Sequence, residues 1–334
     1  MSSLFVDRRN VHLELDAGAL VFRENGQRVG TVPLAPIRRV FLRGSVTLEA
    51  SLLGKLGERG VGVVVLSGRL ARPSLLLSLP HHDASRRVQQ TRMSLDEGFC
   101  LQVARQLLDG KLTRQHDWLD QLRSTYPRAR YALTRAMRQL QAQRSQLAQA
   151  RQLESLRGME GAAAQAYFAG LREVVPASFA FHERNRRPPR DPFNVLLSLT
   201  YTMAHAEVAM ALHGAGLDPC IGFYHQPSWG RESLASDVLE PIRPLADRLC
   251  LHLCASQTLT PAHFSQAEGA CLLGKAGRVR YYEAYEAQAA PLRSAIAQQV
   301  AWLQDVLQTD QQPATAGQAV LPAAPQDQCQ EPCE

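Results

Sequence analysis

The sequence predicts an α+β protein in which a small β-sandwich-like domain precedes a larger all-α catalytic domain. Residues 1–80 hold short β-branched or alternating segments separated by turn residues, the signature of small sheets. From residue 81 to 308 the apolar residues recur at helical spacing, and strand-like alternation disappears. Residues 309–334 are mostly Gln, Pro and Ala with few large apolar side chains, a composition that predicts a disordered tail.

Taken in order, strands are expected over 3–7, 11–15, 19–23, 28–33 and 37–42, with turns at Asp7-Arg-Arg-Asn10 and Glu24-Asn-Gly26. A short helix over 51–58 and a buried strand over 61–66 follow. Two small sheets folded on each other are the simplest arrangement. This half has no cluster of reactive side chains. Its apolar residues Phe5, Leu20, Phe22, Val40 and Phe41 suit an interface with a second copy if the sheet edges are open. Residues 79–85 read as a linker. Beyond it, helices are expected over 193–217, 245–254 and 283–307, and residues 274–282 as a loop with a small basic patch.

A chain of 334 residues can bury a sizeable core as one large domain or two moderate ones. The net charge is +6, and only three of the 37 basic residues are lysines (Lys55, Lys111, Lys275). The planar fork of arginine matches phosphate oxygens, so this balance suits a nucleic-acid backbone, although a GC-rich genome also inflates arginine. The seven cysteines have no Cys-x-x-Cys spacing and read as small hydrophobes in a reducing, cytoplasmic compartment. Neither a signal peptide nor an uninterrupted apolar run of membrane length is present in the sequence.

Position favours the nucleic-acid reading of the arginines. Between Leu122 and Arg151 stand Arg123, Arg128, Arg130, Arg135, Arg138, Arg144 and Arg151 without one acid. Such a run is commonly a solvated face, yet a one-sign stretch repels itself unless a polyanion neutralises it. A second basic segment, Arg184, Arg186, Arg187 and Arg190, runs through a proline-stiffened loop into an apolar helix. Arg128, Arg130, Arg135, Arg138 and these four are the predicted DNA-binding residues.

The chemistry is expected in two places. In the stretch 222–248, Gly, Pro and Trp around His225 make an irregular loop, and Ser233 offers an N-cap to the helix that follows. Asp237 and Glu240, three apart, leave one face of that helix, and Pro241 should kink or end it beside them. A histidine beside two carboxylates can hold a divalent metal, with oxygen ligands suiting Mg2+ and the imidazole keeping Mn2+ in play. The plainer alternative is two acids answering a helix dipole beside a structural histidine. Upstream, Glu160 sits between glycines and opens an Ala-rich helical pattern. His182, His205, His213 and His252 read as satisfied buried histidines.

Three motifs carry a resemblance. Gly158-x-Glu160-Gly161, then Arg186-Arg-Pro-Pro-x-Asp191-Pro-x-Asn194-x-Leu-Leu-Ser198, then His225 followed by Gly230-Arg-x-Ser-Leu-Ala-x-Asp237-x-x-Glu240-Pro-x-Arg243-Pro244 together resemble the CRISPR-associated adaptation integrase, or Cas-one endonuclease, family over residues 1 to 305. Ser236 departs from that family's usual apolar residue. The resemblance implies a catalytic metal on Glu160, His225 and an acid of the third motif, leaving open whether Asp237 or Glu240 is the direct ligand. It implies a metal-dependent DNA integrase and nuclease of CRISPR adaptation. A 3′-OH of an incoming fragment attacks the target strand of the CRISPR array, and water in its place cuts it. It further implies a homodimer formed through residues 1–80 and a small Cas-two partner. The alternatives are a DNA-capture scaffold with dispensable catalysis and a metal-dependent phosphoesterase on smaller substrates.

Overall fold

The computed structural model describes residues 2–67, 72–76, 84–186 and 188–309. The chain starts with β1 (Ser2–Asp7), β2 (Val11–Asp16), β3 (Ala19–Glu24), β4 (Gln27–Pro33), β5 (Ile37–Arg43) and β6 (Val46–Leu48). Helix α1 (Ala50–Glu58) and strands β7 (Gly62–Ser67) and β8 (Arg72–Leu76) complete this half. One sheet runs β1-β5-β7-β8, parallel except for β8, and the other runs β4-β3-β2-β6. The short β6 and β8 are additions to the sequence expectation. Turns at Asn10, Asn25 and Gly26 take left-handed backbone, which these residue types tolerate best.

Strand alternation divides the first sheet between two cores. Val6, Val40, Leu42 and Val63 point to the second sheet and α1, where they meet Leu13, Leu20, Leu52 and Leu56. Phe5, Phe41, Val64 and Leu66, offset by one residue, point the other way into the helical half. Phe41 stacks on Phe5 at 4.9 Å and Phe5 on Tyr282 at 4.8 Å. Leu20, Val40 and Phe41 are thus buried within one chain, as Phe5 largely is, and cannot form the contact with a second copy that the sequence suggested for them. Both faces of this first sheet are buried within one chain.

The second half contains α2 (Ser85–Ser94), α3 (Glu97–Thr125), α4 (Arg130–Gln146), α5 (Leu153–Arg172) and α6 (Pro192–Gly214). Then come α7 (Ser233–Leu239), α8 (Arg243–Ala255), the hairpin β9 (Phe264–Ala267) and β10 (Ala270–Leu273), and α9 (Lys275–Thr309). It is therefore mostly helical rather than all-α. Residues 275–282 are the first turns of α9, not the expected loop. Of the linker at 79–85, residues 79–83 lie outside the described residues, as do Arg187 and the tail from 310 with Cys329 and Cys333.

Helix α6 is long and apolar enough to cross a membrane, but it is the centre of the helical core, with most of its residues buried. Asp191 caps its first turn by accepting from the Asn194 N–H at 2.9 Å. Its buried Glu207 accepts from Arg293 at 3.0 Å and lies 3.4 Å from Arg39 of β5. Arg278 of α9 pairs with Asp7 of β1 at 2.5 Å. Ion pairs and shared apolar packing fix the sheets to α6 and α9, and these in turn back the helices that carry the site.

Candidate metal centre and nucleic-acid interface

Helix α3 turns Leu107, Leu108, Leu112 and Leu119 into the core, and Lys111 lies on the same stripe, 5% exposed. A buried ammonium requires counter-charges, and two carboxylates supply them. Lys111 Nζ donates to Glu160 Oε1 at 2.5 Å and to Glu240 Oε2 at 2.6 Å. Glu160 sits in the middle of α5 rather than at its start, where Glu154 is the first-turn acid. Its second oxygen accepts from the Tyr224 hydroxyl at 2.5 Å, and the second oxygen of Glu240 accepts from Arg243 Nε at 3.0 Å.

These pairings decide the ionisation. Burial alone would push the Glu240 carboxyl up, but Arg243 and then Lys111 outweigh it and hold Glu240 well below the usual carboxylate range. Burial likewise works against the Lys111 charge, and Glu240 followed by Glu160 overcomes it, so the ammonium is strengthened. The Tyr224 hydroxyl is pushed up by burial and by the Glu160 charge.

His225 arrives on the loop before α7, and Asp237 of α7 shapes that loop. Asp237 is fully buried, and its Oδ2 accepts from the N–H groups of Phe223 at 2.7 Å and Tyr224 at 3.0 Å. Oδ1 accepts from the His225 N–H at 2.8 Å and meets His225 Nδ1 at 2.6 Å. A carboxylate at Nδ1 keeps the ring proton there, which leaves the Nε2 lone pair for a ligand. Gly222 permits the fold of the loop, because a Cβ there would lie 2.6 Å from the His225 carbonyl oxygen and 2.9 Å from Asp237 Oδ2.

The two acids of this segment have therefore parted roles. Helix α7 ends at Leu239 and residues Glu240–Ile242 form a 3₁₀ turn with Pro241, as the proline predicts. Glu240 faces Lys111, whereas all the strong acceptor directions of Asp237 are used by the loop. Asp237, predicted as a candidate metal ligand, is placed instead as the residue that orients His225. Ser233 is not the N-cap either; Glu232 holds that position, and the Ser233 hydroxyl donates to the Gln226 carbonyl at 3.0 Å.

Two carboxylate oxygens that flank one cation position, with the His225 imidazole on the loop before α7, are donor types that fit Mg2+ or Mn2+. Among the described residues no three Asp, Glu, His or Cys side chains already converge on one point. The Lys111 ammonium lies between the two glutamates.

Behind the site, buried Asp247 accepts from Tyr167 OH at 2.9 Å and from Tyr201 OH. Arg243 and Arg184 lie over the Tyr201 ring, 4.6 and 5.5 Å from its centre. Burial pushes the Asp247 carboxyl up to about 6 against the lowering effect of both tyrosine hydroxyls and both arginines.

Of the predicted DNA-binding residues, Arg128, Arg130, Arg135, Arg138, Arg186 and Arg190 are exposed. Arg135 lines an open groove of about 470 Å³ between α4 and α5, with Tyr131, Gln165 and Arg172. Arg184 differs: its guanidinium turns inward to Asn194 Oδ1 at 2.8 Å and Ser198 Oγ at 3.3 Å, so it braces the loop instead of facing a solvent-borne phosphate. Arg144 of the same tract pairs with Asp109 at 2.6 Å. His205 is partly buried, its Nδ1 3.3 Å from Glu232, and burial followed by Arg243 lowers it to about 4. His182 and His252 are exposed, against expectation. Cys100, Cys250, Cys254 and Cys271 are buried free thiols, and Cys220 is exposed.

The profile of the family described as CRISPR associated protein Cas1 matches residues 4–287. The chain belongs to the Cas1 family. It is 37% identical over 289 residues to "CRISPR-associated endonuclease Cas1 1" of Thermodesulfovibrio yellowstonii, a match covering 86% of this chain and 91% of the relative. Its fold is that of the Cas1 protein TM1797 from Thermotoga maritima, with a TM-score of 0.80 at 20% identity over 95% of this chain and all of the other. It is also similar to a chain of a "Cas6-RT-Cas1--Cas2 complex", with a TM-score of 0.76 at 25% identity over 93% of this chain and 35% of that one. Within this Cas1 protein, sequence reasoning named Glu160, His225 and Glu240 but missed Lys111, Tyr224 and the tie from Arg243 to Glu240. The available signal was Lys111 itself: one of three lysines in an arginine-rich chain, standing on the apolar stripe of α3.

Proposed function

We propose that this Cas1 protein is a divalent-metal-dependent DNA endonuclease and integrase of CRISPR adaptation, acting on phosphodiester bonds to insert short foreign fragments into a CRISPR array. Family membership and the name of its endonuclease relative support the reaction class. The observation that carries it is the convergence of Glu160 of α5 and Glu240 of the 3₁₀ turn after α7, 80 residues apart in sequence, on the same cation position. Glu160, Glu240 and His225 Nε2 would hold Mg2+ or Mn2+. When bound, such a metal would supply stabilisation of the charge that builds on the scissile phosphate.

The protein's own groups do the rest. Asp237 holds His225 in one tautomer and one orientation. Arg243 and Tyr224 fix the outer oxygens of the two glutamates, which limits their rotation. Exposed Arg128, Arg130, Arg135, Arg138, Arg186 and Arg190, with Arg187, would carry the DNA backbone. Among the described residues the Tyr224 hydroxyl is held by Glu160, whose other oxygen is on Lys111, and in this reading a DNA 3′-OH or water is the nucleophile.

In this reading residues 1–80 form a dimerisation domain, 81–308 the catalytic domain and 309–334 an appended tail. It would work in the cytoplasm as a homodimer, and the name of one similar assembly supports a Cas2 partner. Because the larger apolar residues of the sheets are internal, dimer contacts would fall on the exposed edge strand β4, where Val29 is 45% exposed. The test is integration of a short duplex into a supercoiled plasmid carrying a CRISPR array, with and without Cas2, in Mn2+, Mg2+ or EDTA. Strand transfer that needs the metal and is lost in Glu160→Gln is expected; EDTA-resistant transfer rejects the proposal.

A further inference from the structure

The cation position between Glu160 and Glu240 is already filled by the protein. Lys111 Nζ lies 2.5 Å from one inner oxygen and 2.6 Å from the other. The outer oxygens are taken by Tyr224 and Arg243. An oxygen-ligated Mg2+ sits about 2.1 Å from its donors, so the inner pair offers it no place that the ammonium does not obstruct. Charge leads to the same conclusion. Glu160 and Glu240 are balanced by Lys111 and Arg243, and adding two more positive charges in a site this buried, with no cation leaving, would set like charges together at short range.

Resting on the metal-centre reading above, we propose that Lys111 is the resident cation of the metal-free protein and that metal binding is an exchange: the Lys111 ammonium leaves the gap between Glu160 and Glu240 when the divalent ion enters. Before the exchange, Lys111 holds two carboxylates, from α5 and the 3₁₀ turn after α7, together at one point. The site is thereby folded in advance of its metal, and metal affinity is set by competition with a tethered ammonium. Free lysine chain can make that departure without unfolding α3, because four methylenes separate Nζ from the helix backbone.

The exchange can be followed in the unaltered protein. With only three lysines in the chain, and Lys55 and Lys275 exposed, 13Cε-lysine labelling gives a spectrum in which the buried Lys111 signal stands apart. Titration with diamagnetic Mg2+, with binding measured in parallel by calorimetry, is expected to move that signal towards the position of the two exposed lysines. Lys111→Met provides a second readout: lower thermal stability in EDTA, and Mn2+ affinity, measured by EPR of the free ion, raised by about tenfold or more. Mg2+ binding that leaves the Lys111 signal in place, or an unchanged or weakened Mn2+ affinity in a folded Lys111→Met protein, overturns the exchange and leaves the metal centre standing. If neither ion binds the wild type, the metal-centre reading fails and the exchange fails with it.

Discussion

His225 and Asp237 are joined twice: one carboxylate oxygen accepts both the backbone N–H of His225, at 2.8 Å, and its ring Nδ1, at 2.6 Å. The loop and the imidazole are therefore set by one fully buried side chain. Asp237→Asn keeps the shape but replaces an acceptor-only carboxylate with an amide that must choose one end. A loss of about 10–100-fold in metal affinity or activity is expected, the range for groups that orient a metal-binding histidine. Calorimetry with Mn2+ measures it; unchanged affinity would return Asp237 to a purely structural role.

Gly222→Ala tests the same loop from its backbone. The added methyl would meet the His225 carbonyl and the Ser233 backbone at under 3 Å. The loop must shift, at a cost of about 1–3 kcal/mol, and metal-dependent cleavage should fall although every proposed ligand is retained. Denaturant unfolding and a plasmid-nicking assay on one preparation separate the two effects.

Removal of Glu240 is expected to cost stability as well as activity. The sequence alone suggests that polar ligands contribute little to the fold, but Glu240 is 3% exposed and neutralises Lys111 and Arg243. Glu240→Ala leaves buried cations undercompensated, and destabilisation of about 3–5 kcal/mol is expected in metal-free buffer. Glu160→Ala should cost less, since the Glu160 side chain is 21% exposed and water can enter. Equal urea midpoints for the two variants would contradict this ordering.

The exposed arginines and the inward one should separate in a salt titration. Replacing Arg128, Arg130, Arg135 and Arg138 together with Gln should weaken DNA binding about equally across sequences. If all four contact duplex phosphates, the log-log salt slope falls by roughly four, at about 0.9 per contact. Arg184→Gln should leave the slope in place and lower the melting temperature, because its guanidinium is bound to Asn194 and Ser198.

Asp247 gives a pH test. Its carboxyl is pushed up to about 6 by burial, so the folded protein retains a proton that the unfolded chain has lost. Between the unfolded value near 3.9 and about 6, stability falls as pH rises; above that window the penalty is constant. Against Asp247→Asn, which does not titrate, the wild type should lose about 2 kcal/mol between pH 4 and pH 6.5. Parallel stability curves for the two proteins across that range would remove the assignment.

The sequence by itself determined six of the strands, most of the helices, and three candidate residues of the site. Period-two alternation is a local property, so β1 to β5 and β7 could be read from the chain, and the motifs around Glu160, His225 and Glu240 are contiguous enough to see. Pro241 announced the break after α7 because a missing N–H acts within one turn. What only the tertiary structure decided is which neighbours meet across long separations. Lys111 lies 49 residues from Glu160 and 129 from Glu240, and nothing local to α3 says which acids will cover a lysine on its apolar stripe. Asp237 and Glu240, alike in type and one turn apart, part company because one meets three backbone N–H groups and the other a buried ammonium. The same holds for Phe5 and Phe41: their alternation marked them as buried on one face, but only the packing of α9 against that face made them core rather than interface.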